Sequence, residues 1–246
     1  MADQPLTVPL PGNPSPEPRR YSTAQDSDPT RATAVIYGRD VPSEADLKLL
    51  GPVEGRRLVD LGCGIGHNAV VLAQQGAKVL GVDPDAGLLA RARERADTAE
   101  VKVELHQSAL ADLAFLRSDS VDAALSVMAL ATAEDMARVF RQVHRVLKPE
   151  APLVASLPHP VAGLFDFDGD DPTRAVHPYQ RSSPVEWVDG PRTVLDHLRT
   201  IGEIFTTLHR ASFVVDQVLE PLPSVIPAGV PAVPTTLIIR ARKQGN

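Results

Sequence analysis

The run Val59-Asp60-Leu61-Gly62-Cys63-Gly64-Ile65-Gly66, with Gly81-Val82-Asp83 a short way on, commits this chain to a strand-turn-helix unit shaped around a ligand. Arg57 to Leu61 reads as a buried parallel strand, the glycines as its turn, and Gly66 to Gln75 as the helix that follows. Glycine is needed in the turn because a Cβ would block φ > 0 and hold the backbone away from a ligand. Lys78 to Val82 is the next apolar strand. Asp83 ends it, 21 residues beyond Gly62, the separation at which a carboxylate reaches a ribose diol.

The spacing of the glycines narrows the ligand. A dinucleotide fingerprint G-x-G-x-x-G begun at Gly62 needs glycine at position 67, where this chain has His67; the third glycine is Gly66, so the pattern is G-x-G-x-G. Asp60, an acid inside the end of the first strand, would repel a pyrophosphate but suits a ligand bearing an ammonium and a sulfonium. The ligand's own carboxylate can sit at the N-terminus of the helix opened by Gly66, where free N–H groups and the helix dipole favour an anion.

These residues resemble the motifs of class I S-adenosylmethionine-dependent methyltransferases, in particular the small-molecule type grouped with ubiquinone-biosynthesis-like enzymes. The resemblance runs from about Tyr37 to the C-terminus. It is carried by VDLGCGIG (59 to 66), GVD (81 to 83), VDAALSVMAL (121 to 130) and RQVHRVLKPEAPLVASLPHP (141 to 160). It implies a Rossmann-like α/β fold, with a seven-stranded, mostly parallel sheet that ends in an antiparallel C-terminal pair and has helices on both faces. It implies S-adenosylmethionine as cofactor and S-adenosylhomocysteine as product. The implied cofactor contacts are Tyr37, Asp60, Gly62, Cys63, Gly64, Gly66, His67, Asn68, Asp83, Pro84, Ser108, Ala109, Leu110, Val127 and Met128. The family usually has an acidic residue after the third strand to meet the adenine amino group. The matching segment here is Gln107-Ser108-Ala109, which leaves the Ser108 hydroxyl or a backbone group for that contact.

Composition limits the partners. A chain of 246 residues with 43% hydrophobic content can bury a full core as one domain with extensions. The net charge of −6 lacks the broad basic footprint of a nucleic-acid enzyme, which directs the expectation to a small-molecule methyl acceptor and no nucleic acid. Cys63 is the only cysteine, so no intrachain disulfide can form and a reducing compartment fits. No run of eighteen apolar residues and no signal-like N-terminus occurs, so the reading is cytoplasmic without membrane insertion. No metal site is expected.

Residues 1–30 hold Pro5, Pro9, Pro11, Pro14, Pro16, Pro18 and Pro29 with almost no apolar periodicity and read as an extended arm; 31–246 form the domain. Strands are expected at Leu58–Leu61, Lys78–Asp83, Val101–His106, Val121–Val127 and Pro152–Leu157. Helices are expected at Gly66–Gln75, Pro84–Ala96 and Glu134–Val146. This alternation implies right-handed crossovers and a parallel sheet covered on both faces. A short helix is read at Pro42–Leu50 and a longer one at about Val194–Arg210, followed by apolar runs at Phe213–Leu219 and Thr235–Ala241. The segment 158–193 breaks the rhythm and carries Phe165, Phe167, Tyr179 and Trp187 among acids, prolines and glycines. It is either a surface loop with its own aromatic cluster or a lid over the acceptor. The edge strand near Thr235 can pair with a second copy, giving a homodimer, or be shielded by the proline-rich connection beside it; the sequence leaves both open.

Methyl transfer asks mainly for alignment of the acceptor with the S–CH₃ bond and exclusion of water. A base within about 3 Å would help a hydroxyl or protonated amine. The candidates are His159 just past the fifth strand, Tyr179 in the lid, and His197 heading the helix that follows. Each has a purely structural reading beside the catalytic one. Two other uses of the same residues are a cofactor-binding protein without methyl transfer, a cyclase or regulator, and an NAD-dependent oxidoreductase matched by fold alone.

Overall fold

A computed structural model describes residues 33–38, 41–167, 169–181, 183–189, 192–224, 226 and 228–245. The proline-rich arm read at residues 1–30 lies outside them. A single helical turn, α1 (Glu44–Leu47), precedes the alternation β1 (Arg57–Leu61), α2 (His67–Gln74), β2 (Lys78–Asp83), α3 (Ala86–Thr98), β3 (Val103–Gln107), β4 (Ala123–Val127), α4 (Met136–Val146) and β5 (Pro152–Pro158). A hairpin of β6 (Val185–Asp189) and β7 (Arg192–Asp196) follows, then α5 (Ile201–Arg210), β8 (Phe213–Leu219) and β9 (Thr236–Lys243). The main sheet has the order β3-β2-β1-β4-β5-β9-β8, with β1 to β5 parallel and β9 antiparallel to both its neighbours. This is the seven-stranded sheet with an antiparallel C-terminal pair that the motifs imply.

Alternation along the strands sorts the core into two layers. Leu153, Ala155 and Leu157 of β5 meet Val139, Phe140 and Val143 of α4 and Ile204 and Leu208 of α5 on one face. Val154 turns to the other, where Ala69, Val71 and Leu72 of α2 pack with Tyr37 and Leu49. Period-two strands and a period-3.6 stripe on α4 produce this division directly. Helix starts carry their own caps: Asp85 accepts from Gly87 and Leu88 N–H, Asp135 from Arg138 N–H, and Thr200 with Glu203 forms a capping box.

Three elements differ from the sequence reading. Val194 to Asp196 is strand, paired with β6, and the helix starts only at Ile201. β-Branched Thr193 and Val194 with Leu195 suit a hairpin, and the capping box at Thr200 fixes the helix start. The expected Pro42–Leu50 helix is one turn, closed where Lys48 takes a left-handed conformation and where Leu49 and Leu50 N–H bond the Glu44 carboxylate instead of continuing the ladder. The strand near Thr235 is interior: β9 lies between β5 and β8, so the edge at this end of the sheet is β8. That edge is interrupted by a bulge between Val215 and Gln217, and Asp216 there accepts from Arg240 and Arg242 Nε, both at 2.8 Å. Bulges and charges of this kind discourage edge pairing.

Candidate functional site

The C-terminal ends of β1, β2 and β4 converge on the glycine turn. Gly62 N–H and Cys63 N–H both donate to Val82 O, at 2.7 and 3.1 Å, locking the turn to the end of β2. Gly62 has φ +70° and an added Cβ would fall 2.0 Å from the Ala129 Cβ, so only glycine fits. Gly64, at φ +54°, would place its Cβ in open space, which leaves its backbone face accessible to a ligand. Gly66 caps α2 in the left-handed region.

Asp83 and Asp60 supply the charge. Asp83 is buried at the end of β2; its Oδ2 accepts from Gly64 N–H and its Oδ1 from Asp85 N–H, each at 2.9 Å. The carboxylate is thus oriented by backbone N–H groups on both of its oxygens. Asp60 is 2% exposed. Burial, and then the neighbouring Asp83 charge, pushes its carboxyl up to about 7. Two acids buried together make a place for a cation. Burial likewise pushes the Cys63 thiol up, with Asp60 and Asp83 adding to it, so Cys63 is a packing residue of the turn.

The other implied contacts divide. Leu110 is buried and approaches the Gly62 position, which Ala129 closes from below. Ser108 N–H donates to Asp83 O at 3.1 Å and its hydroxyl donates to Asp112 O at 2.8 Å, while Ala109 is exposed beside it. Pro84 is exposed, its carbonyl accepting from Gln107 Nε2. Val127 ends β4, and Met128 follows it at φ +60° with its N–H on Ser156 O at 2.8 Å. His67 opens α2 with neither ring nitrogen hydrogen-bonded among the described residues; burial, and then the Arg95 charge, lowers its pKa to about 4. Asn68 and Tyr37 hold the N-terminal segment instead. The Asn68 amide brackets Ile36, accepting from its N–H at 3.0 Å and donating to its carbonyl at 3.1 Å. Tyr37 is fully buried and its hydroxyl donates to Glu44 at 2.6 Å. Burial and that bond raise the phenol well above its ordinary range.

Past the end of β5, His159 is 2% exposed. Val161 N–H donates to its Nδ1 at 3.1 Å, so the proton sits on Nε2, which donates to Glu220 at 2.7 Å. Both nitrogens are occupied, and the ring ties the end of β5 to the end of β8. Tyr179 is exposed. His197 lies in the loop after β7 rather than at the helix start, with its N–H on Ala131 O at 2.7 Å. That bond sets the end of the β6–β7 hairpin against the turn after β4. Three polar residues that sequence reasoning passed over lie in this segment. Asp196 is buried at the end of β7, and Arg181 and Arg199 fasten the same segment. Asp196 did carry a signal, an acid ending the apolar run Thr193 to Leu195 as Asp83 ends β2; reading the run as helix hid it.

A methyltransferase-domain family model matches residues 59–155, the stretch from the glycine turn to β5. A solved S-adenosylmethionine-dependent methyltransferase from Mesorhizobium loti is 30% identical with a TM-score of 0.62, the match covering 80% of this chain and 95% of that one. The chain belongs to the S-adenosylmethionine-dependent methyltransferases. A presumed methyltransferase of the same kind from Listeria monocytogenes is 27% identical with a TM-score of 0.69, covering 81% of this methyltransferase and 96% of that chain. A ubiquinone biosynthesis O-methyltransferase from Azorhizobium caulinodans is 31% identical over 111 residues, 45% of this chain. That match spans only 44% of the relative's length, under half. Among the described residues no helix is long and apolar enough to cross a membrane.

Proposed function

We propose that this methyltransferase moves the methyl group of S-adenosylmethionine to a small-molecule acceptor by in-line displacement, releasing S-adenosylhomocysteine. The observation that carries the reading is the Asp83 carboxylate, fixed by Gly64 and Asp85 N–H beside a cradle that a Cβ at Gly62 would close. The residues fit the cofactor: Asp83 would hold the ribose diol, Asp60 the cationic methionine end, Leu110 and Ala129 an apolar floor, and Ser108 to Leu110 the adenine edge. Bound there, the cofactor supplies a methyl group already activated on a sulfonium. The chain's part is to orient and to exclude water. In this reading the β6–β7 hairpin, whose exit is fastened to the turn after β4 by His197 N–H, would cover the acceptor. His159, with both nitrogens engaged, positions strand ends rather than taking a proton. A small-molecule acceptor accords with the net charge of −6 and with the ubiquinone-pathway enzyme among the relatives.

Calorimetric titration with S-adenosylmethionine and S-adenosylhomocysteine tests the reading, with Asp83→Ala alongside. Loss of the ribose bonds costs on the order of 1.5 to 3 kcal/mol, tenfold or more in affinity. Absence of binding by the folded wild type would remove the proposal.

A further inference from the structure

The two arginines that fasten the segment between β5 and α5 are used differently. Arg199 is a tie: Nη1 donates to His197 O at 2.9 Å, and Nη2 to Ala133 O at 2.6 Å and Glu134 O at 2.7 Å. Arg181 is partly buried and makes one bond among the described residues, from Nη2 to Gly163 O at 2.7 Å. Its Nε–H is buried with no acceptor among them. No carboxylate among the described residues pairs with it, and burial works against its charge without compensation. A guanidinium keeps its proton and offers five donors, so a half-desolvated one with a single carbonyl partner invites an anion.

Its position suits an acceptor. Gly163 lies in the turn that leaves β5, and a Cβ there would lie 3.2 Å from Leu198 Cδ1. Leu198 follows His197, which is bonded to Ala131 beyond β4. Arg181 is therefore joined to the C-terminal ends of β4 and β5, the side on which open α/β sheets receive ligands. Val176 and Tyr179, in the same loop, leave 50% and 43% of their surfaces exposed. Next to them is His177, whose N–H bonds Leu164 O. Burial, and then the Arg181 charge, lowers the His177 pKa, with Asp166 opposing. The neutral imidazole keeps one N–H to donate.

We propose that Arg181 anchors an oxyanion of the methyl acceptor, a carboxylate or a phosphate, while the acceptor's apolar body rests on Val176 and Tyr179. This rests on the acceptor-side reading above and specifies the substrate class it takes. A guanidinium pairs with either group through two parallel hydrogen bonds.

The test is equilibrium binding of benzoate, phenyl phosphate and benzamide to the full chain saturated with S-adenosylhomocysteine. Benzoate or phenyl phosphate is expected to bind about tenfold or more tightly than benzamide, and whichever binds better identifies the group. Arg181→Gln is expected to reduce the anion to the benzamide level with S-adenosylhomocysteine affinity unchanged. Arg181→Lys, a point charge without the fork, is expected to fall between, and it carries the test if the glutamine variant does not fold. Equal binding of all three probes, no binding by either anion, or full anion binding by Arg181→Gln would each overturn the proposal. Failure of S-adenosylhomocysteine itself to bind would instead overturn the cofactor reading beneath it.

Discussion

At the scale of single residues the glycine turn after β1 is governed by approach distance. Gly62 combines φ +70° with a Cβ position 2.0 Å from the Ala129 Cβ, so Gly62→Ala must both strain the backbone and push the turn after β4. Overpacking of this kind costs about 1 to 3 kcal/mol and the left-handed conformation about 1 to 2 more. Chemical denaturation is expected to show a loss of at least about 2 kcal/mol, together with loss of S-adenosylhomocysteine binding. An unchanged midpoint with retained binding would mean that the turn is not the close-packed cradle described. Glycine spacing and the acid ending β2 were legible in the sequence because both are local: φ sign and strand length set them within 25 residues. Tyr37 and Asn68 were not legible as clamps, because their partners, Glu44 and Ile36, are brought to them only by packing of the N-terminal segment on α2.

At the scale of elements, both ring nitrogens of His159, a candidate base in the sequence, are engaged in hydrogen bonds between strand ends. Its two hydrogen bonds join the turn after β5 to Glu220 after β8, across the intervening β9. His159→Ala would leave Val161 N–H without its acceptor and Glu220 without its donor. The expected loss of stability is about 1 to 3 kcal/mol, read by thermal or denaturant unfolding, with S-adenosylhomocysteine affinity changed less than about twofold. Retained stability with altered pH dependence of turnover would return it to the role of base. The sequence revealed β5 and β8 as apolar runs. It could not reveal that Glu220, 61 residues on, would stand opposite His159, because that pairing depends on the strand order and on nothing local. The hairpin β6–β7 was missed for a similar reason: its alternation is short, lies within a loop-like composition, and runs into a helix that the same apolar residues could have opened.

Over the whole molecule, the buried titratable groups flanking the glycine turn, Asp60 and His67, act on stability with opposite sign. The Asp60 carboxyl is raised to about 7 when folded, so the folded state holds a proton that the unfolded chain releases near its ordinary 3.8. Its contribution is therefore full below that value and is lost as pH rises to about 7. His67 is lowered to about 4 from 6.5, so its contribution is present above 6.5 and is lost as pH falls toward 4. Between these limits the two slopes oppose, each at about 1 kcal/mol per pH unit or somewhat more. Removing one uncovers the other. Relative to wild type, Asp60→Asn is expected to gain stability steadily from pH 4 to 7, reaching about 2 to 4 kcal/mol, and to hold that gain above pH 7. His67→Gln should do the reverse, gaining stability relative to wild type as pH falls from 6.5 to 4. The two profiles, taken by denaturant titration at half-unit intervals of pH, must diverge from wild type in opposite pH directions; parallel profiles would show that neither group is desolvated as described. A cationic ligand supplies the countercharge that Asp60 lacks, so the stabilisation by S-adenosylmethionine of the wild type should grow as pH rises through 7 and should show no such growth in Asp60→Asn. The acid that destabilises the free fold near neutral pH is then the one that makes the fold receptive to its cofactor.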